Sequence, residues 1–120
     1  MADYVYGLSK SGVSIVKLLK KQKKIFYCWD DDDATRKLLN KKFSNLNFAK
    51  INKTSFKKYK NLYVTPGLSF SNKKFSGIHK TKIKRDLDLY YQNLTNEKIV
   101  AITGTNGKST TTKLIGDILR

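Results

Sequence analysis

The apolar residues of this chain fall into short runs that alternate with segments of helical spacing. The run from Tyr4 to Tyr6 predicts a buried strand that ends at Gly7. Residues 13–19 then carry apolar side chains at a helical period, and two lysines follow, which predicts a helix. A second apolar run at 24–29 predicts another strand. Asp33 is the predicted cap of the helix that comes after it.

The second half of the chain continues this alternation. Residues 48–51 are a candidate short strand, and residues 62–64 predict a stronger strand that stops at the turn Thr65-Pro66-Gly67. Residues 68–80 have the composition of a loop, Ile83 marks a brief strand, and residues 86–94 have the spacing of an amphipathic helix. After a break at 95–96, residues 98–102 predict a strand and residues 108–119 a helix.

Strands that alternate with helices predict an α/β fold with a parallel, Rossmann-like sheet. We expect one such domain at residues 1–95 and the start of a second at 96–120. Ligands of parallel sheets collect at the carboxyl ends of the strands. Three predicted turns occupy such ends in the first domain, at 7–12, 30–31 and 65–67, and a fourth at 103–109 lies beyond the break.

The charge of the chain bears on its partners. The formal net charge is +16 over 120 residues, and no acidic residue lies between Asp33 and Asp86. A nucleic-acid-binding module is therefore an alternative. The basic residues are spread out, however, and lysine outnumbers arginine 22 to 3. We expect solvated, lysine-rich faces without a nucleic acid partner, and an electric field that favours a small anionic ligand.

Cysteine usage and hydropathy bear on the compartment. Cys28 is the single cysteine, so no internal disulfide can form, and a reducing compartment is favoured. The first residues lack the pattern of a signal peptide, and no window approaches the roughly 18 apolar residues of a membrane span. We expect a cytoplasmic protein that does not insert into membranes.

The segment Thr103-Gly-Thr-Asn-Gly-Lys-Ser-Thr110 has the composition of a phosphate-binding loop between a strand and a helix. Its glycines allow backbone N–H groups to face a phosphate, Lys108 can reach terminal phosphates, and the Ser109 hydroxyl is a ligand for Mg²⁺. Ile102 stands where the general motif has its first glycine. The alternative interpretation is a glycine-rich turn with an incidental lysine.

This loop resembles the ATP loop of the Mur ligase superfamily, which lacks the same glycine. Residues 101–112 match the superfamily pattern without a gap. Other segments are similar to MurD, the family of this superfamily that adds D-glutamate. They are residues 7–12 with Ser9 in place of the middle glycine, residues 27–31 with their two acids, residues 64–68 with Thr65 in place of a serine, and residues 86–90.

The resemblance implies a Rossmann-like domain that holds the UDP of UDP-N-acetylmuramoyl-L-alanine. It implies a reaction of peptidoglycan precursor synthesis in which ATP phosphorylates the carboxylate of this substrate, D-glutamate attacks the acyl phosphate, and an amide forms. ATP and Mg²⁺ are the implied cofactors, and a monomer is the expected state of the full-length enzyme. The resemblance also predicts that the 120 residues are an N-terminal fragment without ligase activity of its own.

Individual site residues follow from the same resemblance. It gives Lys108 a catalytic role and Ser109 a magnesium contact. The implied ATP-binding residues are Gly104, Thr105, Asn106, Gly107, Lys108, Ser109 and Thr110. The implied residues for the UDP substrate are Ser9, Lys10, Ser11, Asp30, Asp31, Thr65 and Gly67.

Several residues have competing interpretations. The acids at 30–33 cannot all ligate one ion from a single turn, so we interpret them as nucleoside contacts followed by a helix cap. Phe26, Tyr27 and Trp29 are predicted core residues, and His79 is a predicted solvated loop residue. A nicotinamide- or flavin-binding Rossmann domain would explain residues 1–33 but not the loop at 103–110. Another Mur-type ligase is a further alternative.

Overall fold

A computed structural model describes residues 1–52, 55–69 and 73–120 of the protein. The described residues form a four-stranded, fully parallel sheet with the strand order β2-β1-β3-β4. The strands are β1 (Ala2–Tyr6), β2 (Phe26–Trp29), β3 (Tyr59–Val64) and β4 (Ile83–Lys84). The predicted α/β fold with a parallel, Rossmann-like sheet is confirmed.

The predicted helices are present in the described part of the chain. They are α1 (Lys10–Lys21), α2 (Asp33–Lys42), α3 (Asp86–Tyr91) and α4 (Lys108–Ile118). Short 3-10 helices add Ser55–Lys58, Lys73–Phe75 and Lys80–Lys82. The last two lie in the predicted loop at 68–80, of which residues 70–72 are outside the described residues.

The cap of α2 is Asp32, and the prediction of Asp33 is wrong by one residue. The Asp32 carboxylate accepts the N–H groups of Ala34 at 3.3 Å and Thr35 at 3.0 Å. Asp32 has the extended backbone that a capping residue needs. Asp33 is the first helical residue, and it pairs instead with the side chains of Arg36 and Lys37.

Two predicted strands are absent from the described residues. At 48–51 the chain makes an isolated bridge between Phe48 and Cys28, with the Cys28 N–H donating to Asn47 at 2.9 Å. Residues 98–102 pair with none of the described strands, and Ile99 and Val100 are exposed. An apolar run becomes a strand only where it pairs with a neighbouring strand over several residues. The segment at 48–51 meets β2 at a single bridge, and residues 98–102 pair with none of the described strands.

The sheet is buried on both faces. One apolar cluster contains Val5 and Tyr63 of the sheet with side chains of α1, α2 and α3. The other contains Tyr4 and Tyr6 of β1 together with residues of β3. Phe56 and Phe75, from two of the 3-10 helices, cover this cluster. Burial on both faces explains why the strands have continuous apolar runs without strict alternation.

The side chains of β2 and β3 depart from the simple pattern. Tyr27 is 36% exposed, so its predicted place in the core is wrong, whereas Phe26 is buried. Alternation along β2 places Tyr27 on the sheet face opposite Phe26, where its ring lies 5.8 Å from that of Tyr59. It stays partly exposed there because β2 is the outermost strand in the sheet order. In β3, an irregularity in the pairing with β1 brings Tyr59 and Leu62 into the same cluster although they are three positions apart.

The end of the chain contributes nothing to this core. No residue of 95–120 is buried, and Leu114, Ile118 and Leu119 of the last segment are exposed. The described ranges contain no helix with the length and hydropathy to cross a membrane.

Candidate functional site

The candidate site lies at the carboxyl ends of β1, β2 and β3. The chain passes from β1 to β2 on one side and returns to β3 on the other, so the strand order reverses between β1 and β3. Open parallel sheets bind ligands in the crevice at such a switch point. The Gly7 N–H donates to the Trp29 carbonyl at 2.8 Å, and the Thr65 N–H donates to the Tyr6 carbonyl at 3.2 Å. These bonds bring the three loops to one edge of the sheet.

The turn between β1 and α1 is closely packed around its two glycines. Gly7 has a φ of 87°, and a Cβ on it would lie 2.3 Å from Oγ1 of Thr65. A Cβ on Gly12 would lie 1.9 Å from the carbonyl oxygen of Gly7. Neither position accepts a side chain without movement of its neighbours. The buried Thr65 side chain therefore fixes the distance between the β1 and β3 loops.

Asp30 connects the first two loops through its carboxylate. Oδ2 accepts the N–H of Leu8 at 2.6 Å, and Oδ1 accepts the N–H of Asp32 at 3.0 Å. Both oxygens thus hold backbone groups, one in the β1–α1 loop and one in the β2–α2 loop. The structure shows that the Asp30 carboxylate holds the backbone of both loops, and its contact with the substrate stays a prediction.

Asp31 is at the centre of a polar cluster with Tyr6 and Lys74. Its Oδ2 accepts the Tyr6 hydroxyl at 2.7 Å and a charged hydrogen bond from Lys74, and its Oδ1 accepts the Trp29 indole N–H at 3.3 Å. The bond from Lys74, followed by that from Tyr6, lowers the pKa of Asp31. The same ion pair raises the pKa of Lys74, and burial raises that of Tyr6. Both ions of the pair carry their charge at neutral pH.

A cleft of about 330 Å³ opens beside this cluster. Its walls combine the aromatic rings of Tyr6 and Trp29 with charged and amide groups. The remaining lining residues are Asp31, Lys50, Ile51, Asn52 and Lys74. Such a mixture of flat apolar surface and few polar groups is typical of sites for small polar ligands.

The residues predicted for the UDP substrate are spread over this edge. Ser9 precedes α1 as its N-terminal cap, although its side chain makes no hydrogen bond to the helix. Lys10 begins α1 and is exposed, and Ser11 is half-buried beside it. Gly67 lies in the turn after β3, where the Leu68 N–H donates to the Thr65 carbonyl at 3.0 Å. The structure therefore brings the three loops at 7–12, 30–31 and 65–67 to one edge of the sheet. His79 is exposed, as predicted, with Nδ1 2.8 Å from Oγ1 of Thr81.

Tyr6, Lys74, Arg36 and Arg85 also shape this edge and were not predicted from the sequence. Lys74 is one of many lysines in a basic segment, and nothing in the pattern distinguishes it. Arg36 and Arg85 did carry a signal, because arginine is rare in this chain. Both side chains donate to loop carbonyls at the carboxyl edge of the sheet.

The loop at 103–110 is a second, separate candidate site. Gly104 and Gly107 have φ values of 147° and 75°, in the region that favours glycine. Gly107 precedes α4, whose first residue is Lys108. The Lys108 ammonium donates to the carbonyl of Gly104. The exposed N–H groups at this helix start and a nearby lysine fit the requirements of a phosphate.

Comparison with known proteins finds similar sequences along nearly the whole chain. Over 97% of its length the chain is 38% identical to "UDP-N-acetylmuramoylalanine--D-glutamate ligase" of Wolbachia sp. subsp. Brugia malayi (strain TRS), of which it covers 25%. The ligase of the same name from Wolbachia pipientis wMel is 37% identical over 97% of the chain. The chain is similar to these MurD ligases over nearly its whole length. It spans about a quarter of the length of the curated relatives it matches.

A more distant MurD ligase supports the same relationship. The protein from Rickettsia prowazekii (strain Madrid E) is 32% identical over 96% of the chain, which covers 26% of it. No protein-family model matches the chain. With 96–97% of the chain aligned, both glycine turns lie within the stretch shared with MurD.

Proposed function

We propose that this chain supplies the UDP-substrate site and the start of the ATP site of a MurD-type ligase. On this proposal residues 1–95 bind UDP-N-acetylmuramoyl-L-alanine, and residues 96–120 begin the ATP-binding part. The full enzyme would add D-glutamate to that substrate in peptidoglycan precursor synthesis. The observation that carries the proposal is the similarity to MurD ligases over 97% of the chain.

The carboxyl edge of the sheet supports binding of a nucleoside diphosphate. The β1–α1 turn presents Ser9, Lys10 and Ser11 at the start of a helix, where positive charge and backbone dipoles attract an anion. Asp31 and the aromatic walls of the neighbouring cleft offer a flat surface and a hydrogen-bond acceptor for a base. Thr65 and Gly67 belong to the third loop at this edge, which follows β3. The net charge of +16 adds a favourable long-range field.

The loop at 103–110 supports a role in ATP binding. Backbone N–H groups from Gly104 to Gly107 would face the phosphates, Lys108 would neutralise their charge, and Thr110 would lie at the start of the helix. The Ser109 hydroxyl would contact Mg²⁺. When bound, ATP supplies the phosphoryl group that activates a carboxylate for amide formation. Lys108 contributes by holding charge in place, which is how such loops assist phosphoryl transfer.

The buried thiol of Cys28, whose pKa burial raises to about 12, is unreactive at neutral pH and has no partner for a disulfide. We propose a cytoplasmic location, where such a thiol stays reduced, and a monomeric full-length enzyme. Nucleic acid is not part of the proposed function.

A calorimetric titration of the chain tests the substrate proposal. UDP-N-acetylmuramoyl-L-alanine is expected to saturate one site, while NADH and a short DNA duplex do not compete for it. Lys10→Ala is expected to weaken binding about tenfold. Lys21→Ala, at the other end of α1, is the matched control and should bind like the parent chain. Selective binding of NADH or DNA would contradict the proposal.

A separate titration with ATP and Mg²⁺ tests the loop. Lys108→Met should weaken binding, whereas Lys113→Met, in the next turns of the same helix, should not. Equal effects of the two substitutions would indicate unspecific attraction of ATP to a basic segment.

A further inference from the structure

The two arginines within residues 1–95 both contact loop backbone at the candidate substrate site. The chain has 22 lysines and 3 arginines, of which Arg120 is the last residue. The other two are Arg36 on α2 and Arg85 before α3. A composition so rich in lysine makes the location of these two side chains informative.

Arg85 holds the turn that follows β3. One guanidinium nitrogen, Nη1, donates to the carbonyl of Val64 at 3.1 Å and also to that of Thr65. The other, Nη2, donates to the carbonyl of Leu68 at 2.8 Å. These acceptors lie on both sides of Gly67. The half-buried side chain thus spans the whole turn from the end of the strand.

Arg36 does the same for the loop that follows β2. Its Nη1 donates to the carbonyl of Asp30 at 2.5 Å, and its Nη2 contacts Oδ1 of Asp33 at 2.7 Å. The guanidinium carbon lies 4.3 Å from the centre of the Trp29 ring. The side chain of Arg36 is 19% exposed, so the stacked contact is largely shielded from water.

Lysine cannot reproduce either arrangement. A guanidinium group is planar and has five N–H donors in a fixed fork, so one side chain can hold several acceptors at set directions and stack on a ring. An ammonium group has three donors around a single point. Carbonyls as far apart as those of Val64 and Leu68 need the two separate nitrogens that Arg85 provides.

We propose that Arg36 and Arg85 are positioning residues that set the shape of the β2 and β3 loops for the UDP substrate. This inference rests on the proposed function only for the identity of the ligand. The guanidinium groups act through the loop backbone and do not touch the substrate. Their removal should therefore loosen the loops first and weaken binding as a consequence.

Hydrogen exchange of the chain without ligand provides the first test. The Leu68 N–H bonds to the Thr65 carbonyl within the turn that Arg85 holds. In Arg85→Lys this amide should exchange about tenfold faster relative to the parent chain, and amides in the middle of β1 should not change. Lys82→Ala is the matched control, because Lys82 donates to the carbonyl of Tyr59 at the opposite end of β3. Unchanged exchange at Leu68 in Arg85→Lys and Arg85→Ala would overturn the proposal for Arg85.

The β2 loop has its own readout. The Asp32 N–H bonds to the Asp30 carboxylate, so its exchange should rise in Arg36→Lys and stay unchanged in Lys37→Ala. Unchanged exchange at Asp32 in Arg36→Lys would overturn the proposal for Arg36.

Titration with UDP-N-acetylmuramoyl-L-alanine separates this inference from the proposed function. Arg85→Lys should raise the dissociation constant about tenfold, and added guanidinium ion at millimolar concentration should restore part of the affinity of Arg85→Ala. A parent chain that fails to bind would contradict the proposed function while the exchange results still decide the role of the arginines. A parent chain that binds, with Arg85→Lys and Arg36→Lys binding equally well, would overturn the positioning role.

Discussion

Two glycine turns in this protein have similar backbone conformations but different surroundings. Gly7 and Gly107 both have a positive φ, at 87° and 75°, and both precede a helix. A Cβ on Gly7 would meet Thr65 at 2.3 Å, whereas nothing lies within 4 Å of one on Gly107. The first turn is therefore held by a buried sheet, whereas the second is held by local contacts such as the hydrogen bond from Lys108 to the Gly104 carbonyl.

This difference shows what a local motif determines and what it leaves open. A glycine ahead of a helix start specifies a turn with positive φ in both places. At Gly7, close contacts with the Thr65 side chain fix the position of the turn against the sheet. In the part of the chain that the structure describes, no such contacts surround Gly107. The turn at Gly107 has the geometry for phosphate but no packed surroundings among the described residues.

The largest expected effect comes from Gly12→Ala. The new methyl group would collide with the Gly7 carbonyl, a backbone atom that cannot rotate away. We expect the free energy of unfolding to fall by about 3 kcal/mol, the upper part of the range for overpacking. Urea unfolding followed by Trp29 fluorescence measures it. Gly116→Ala in α4, where nothing lies within 4 Å, is the control and should leave this value unchanged.

The next effect compares the two turns directly. Gly7→Ala and Gly107→Ala carry a similar backbone strain, but only the first adds a clash with Thr65. We expect Gly7→Ala to lower the free energy of unfolding of the sheet by about 2 kcal/mol. Gly107→Ala should change it by less than about 0.5 kcal/mol, because no residue of 95–120 is buried.

A double variant identifies the cause of the Gly7 effect. Thr65→Ala removes the two closest atoms, so Gly7→Ala should cost less in that background than in the parent chain. Strict additivity of the two substitutions would mean that backbone strain, and not the contact with Thr65, makes the first turn sensitive.

Gly67→Ala should affect ligand binding and not stability. Its φ lies outside the positive region, and nothing lies within 4 Å of a Cβ at this position. Neither conformation nor internal packing requires a glycine there, which leaves close approach of a ligand as its use. We expect about tenfold weaker binding of the UDP substrate, equal to about 1.4 kcal/mol. Unchanged affinity would remove Gly67 from the proposed site.

The smallest effect concerns the ion pair of Asp31 with Lys74. The folded state lowers the pKa of Asp31, so its contribution is present above the unfolded value of about 3.9 and is lost as the pH falls through the folded value. The Asp31 side chain is 56% exposed, so we expect less than about 1 kcal/mol.

Unfolding of the parent chain and Asp31→Asn between pH 7 and pH 3 measures this contribution. The stability difference should be present at neutral pH and shrink in acid. Asp117→Asn in α4 is the control, and the sheet should unfold in this variant as in the parent chain at every pH. The stability difference between Asp31→Asn and the parent chain could instead be independent of pH. That result would show that the substitution removes neutral contacts of the side chain and not an ionic contribution.

The strongest elements of the fold were predictable from local patterns. The runs at 4–6 and 62–64 became β1 and β3, and the helical spacing of residues 13–19 became α1. The residues at 48–51 and 98–102 have similar apolar character but form no strands, since pairing partners are a property of the fold. The cap at Asp32 was missed because four adjacent acids give the same signal.

The residues of the candidate site likewise fall into those predictable from local sequence and those that depend on distant contacts. Residues 7–12, 30–31 and 65–67 were each recognisable as turns, and a parallel sheet brings such turns to one edge. The contribution of Lys74 was hidden, because the contact with Asp31 joins residues 43 positions apart. The role of Arg85 was equally hidden, since its acceptors belong to a turn about 20 residues earlier in the chain.

The sequence by itself determined the alternation of strands and helices, the two glycine turns and the resemblance to the Mur ligases, because each depends on residues close together in the chain. The tertiary structure alone decided which apolar runs pair as strands, which acid caps a helix, and which distant cations hold the loops. Those outcomes depend on distances and directions between segments, and side chains such as Thr65, Lys74 and Arg85 acquire their partners only when the sheet has formed.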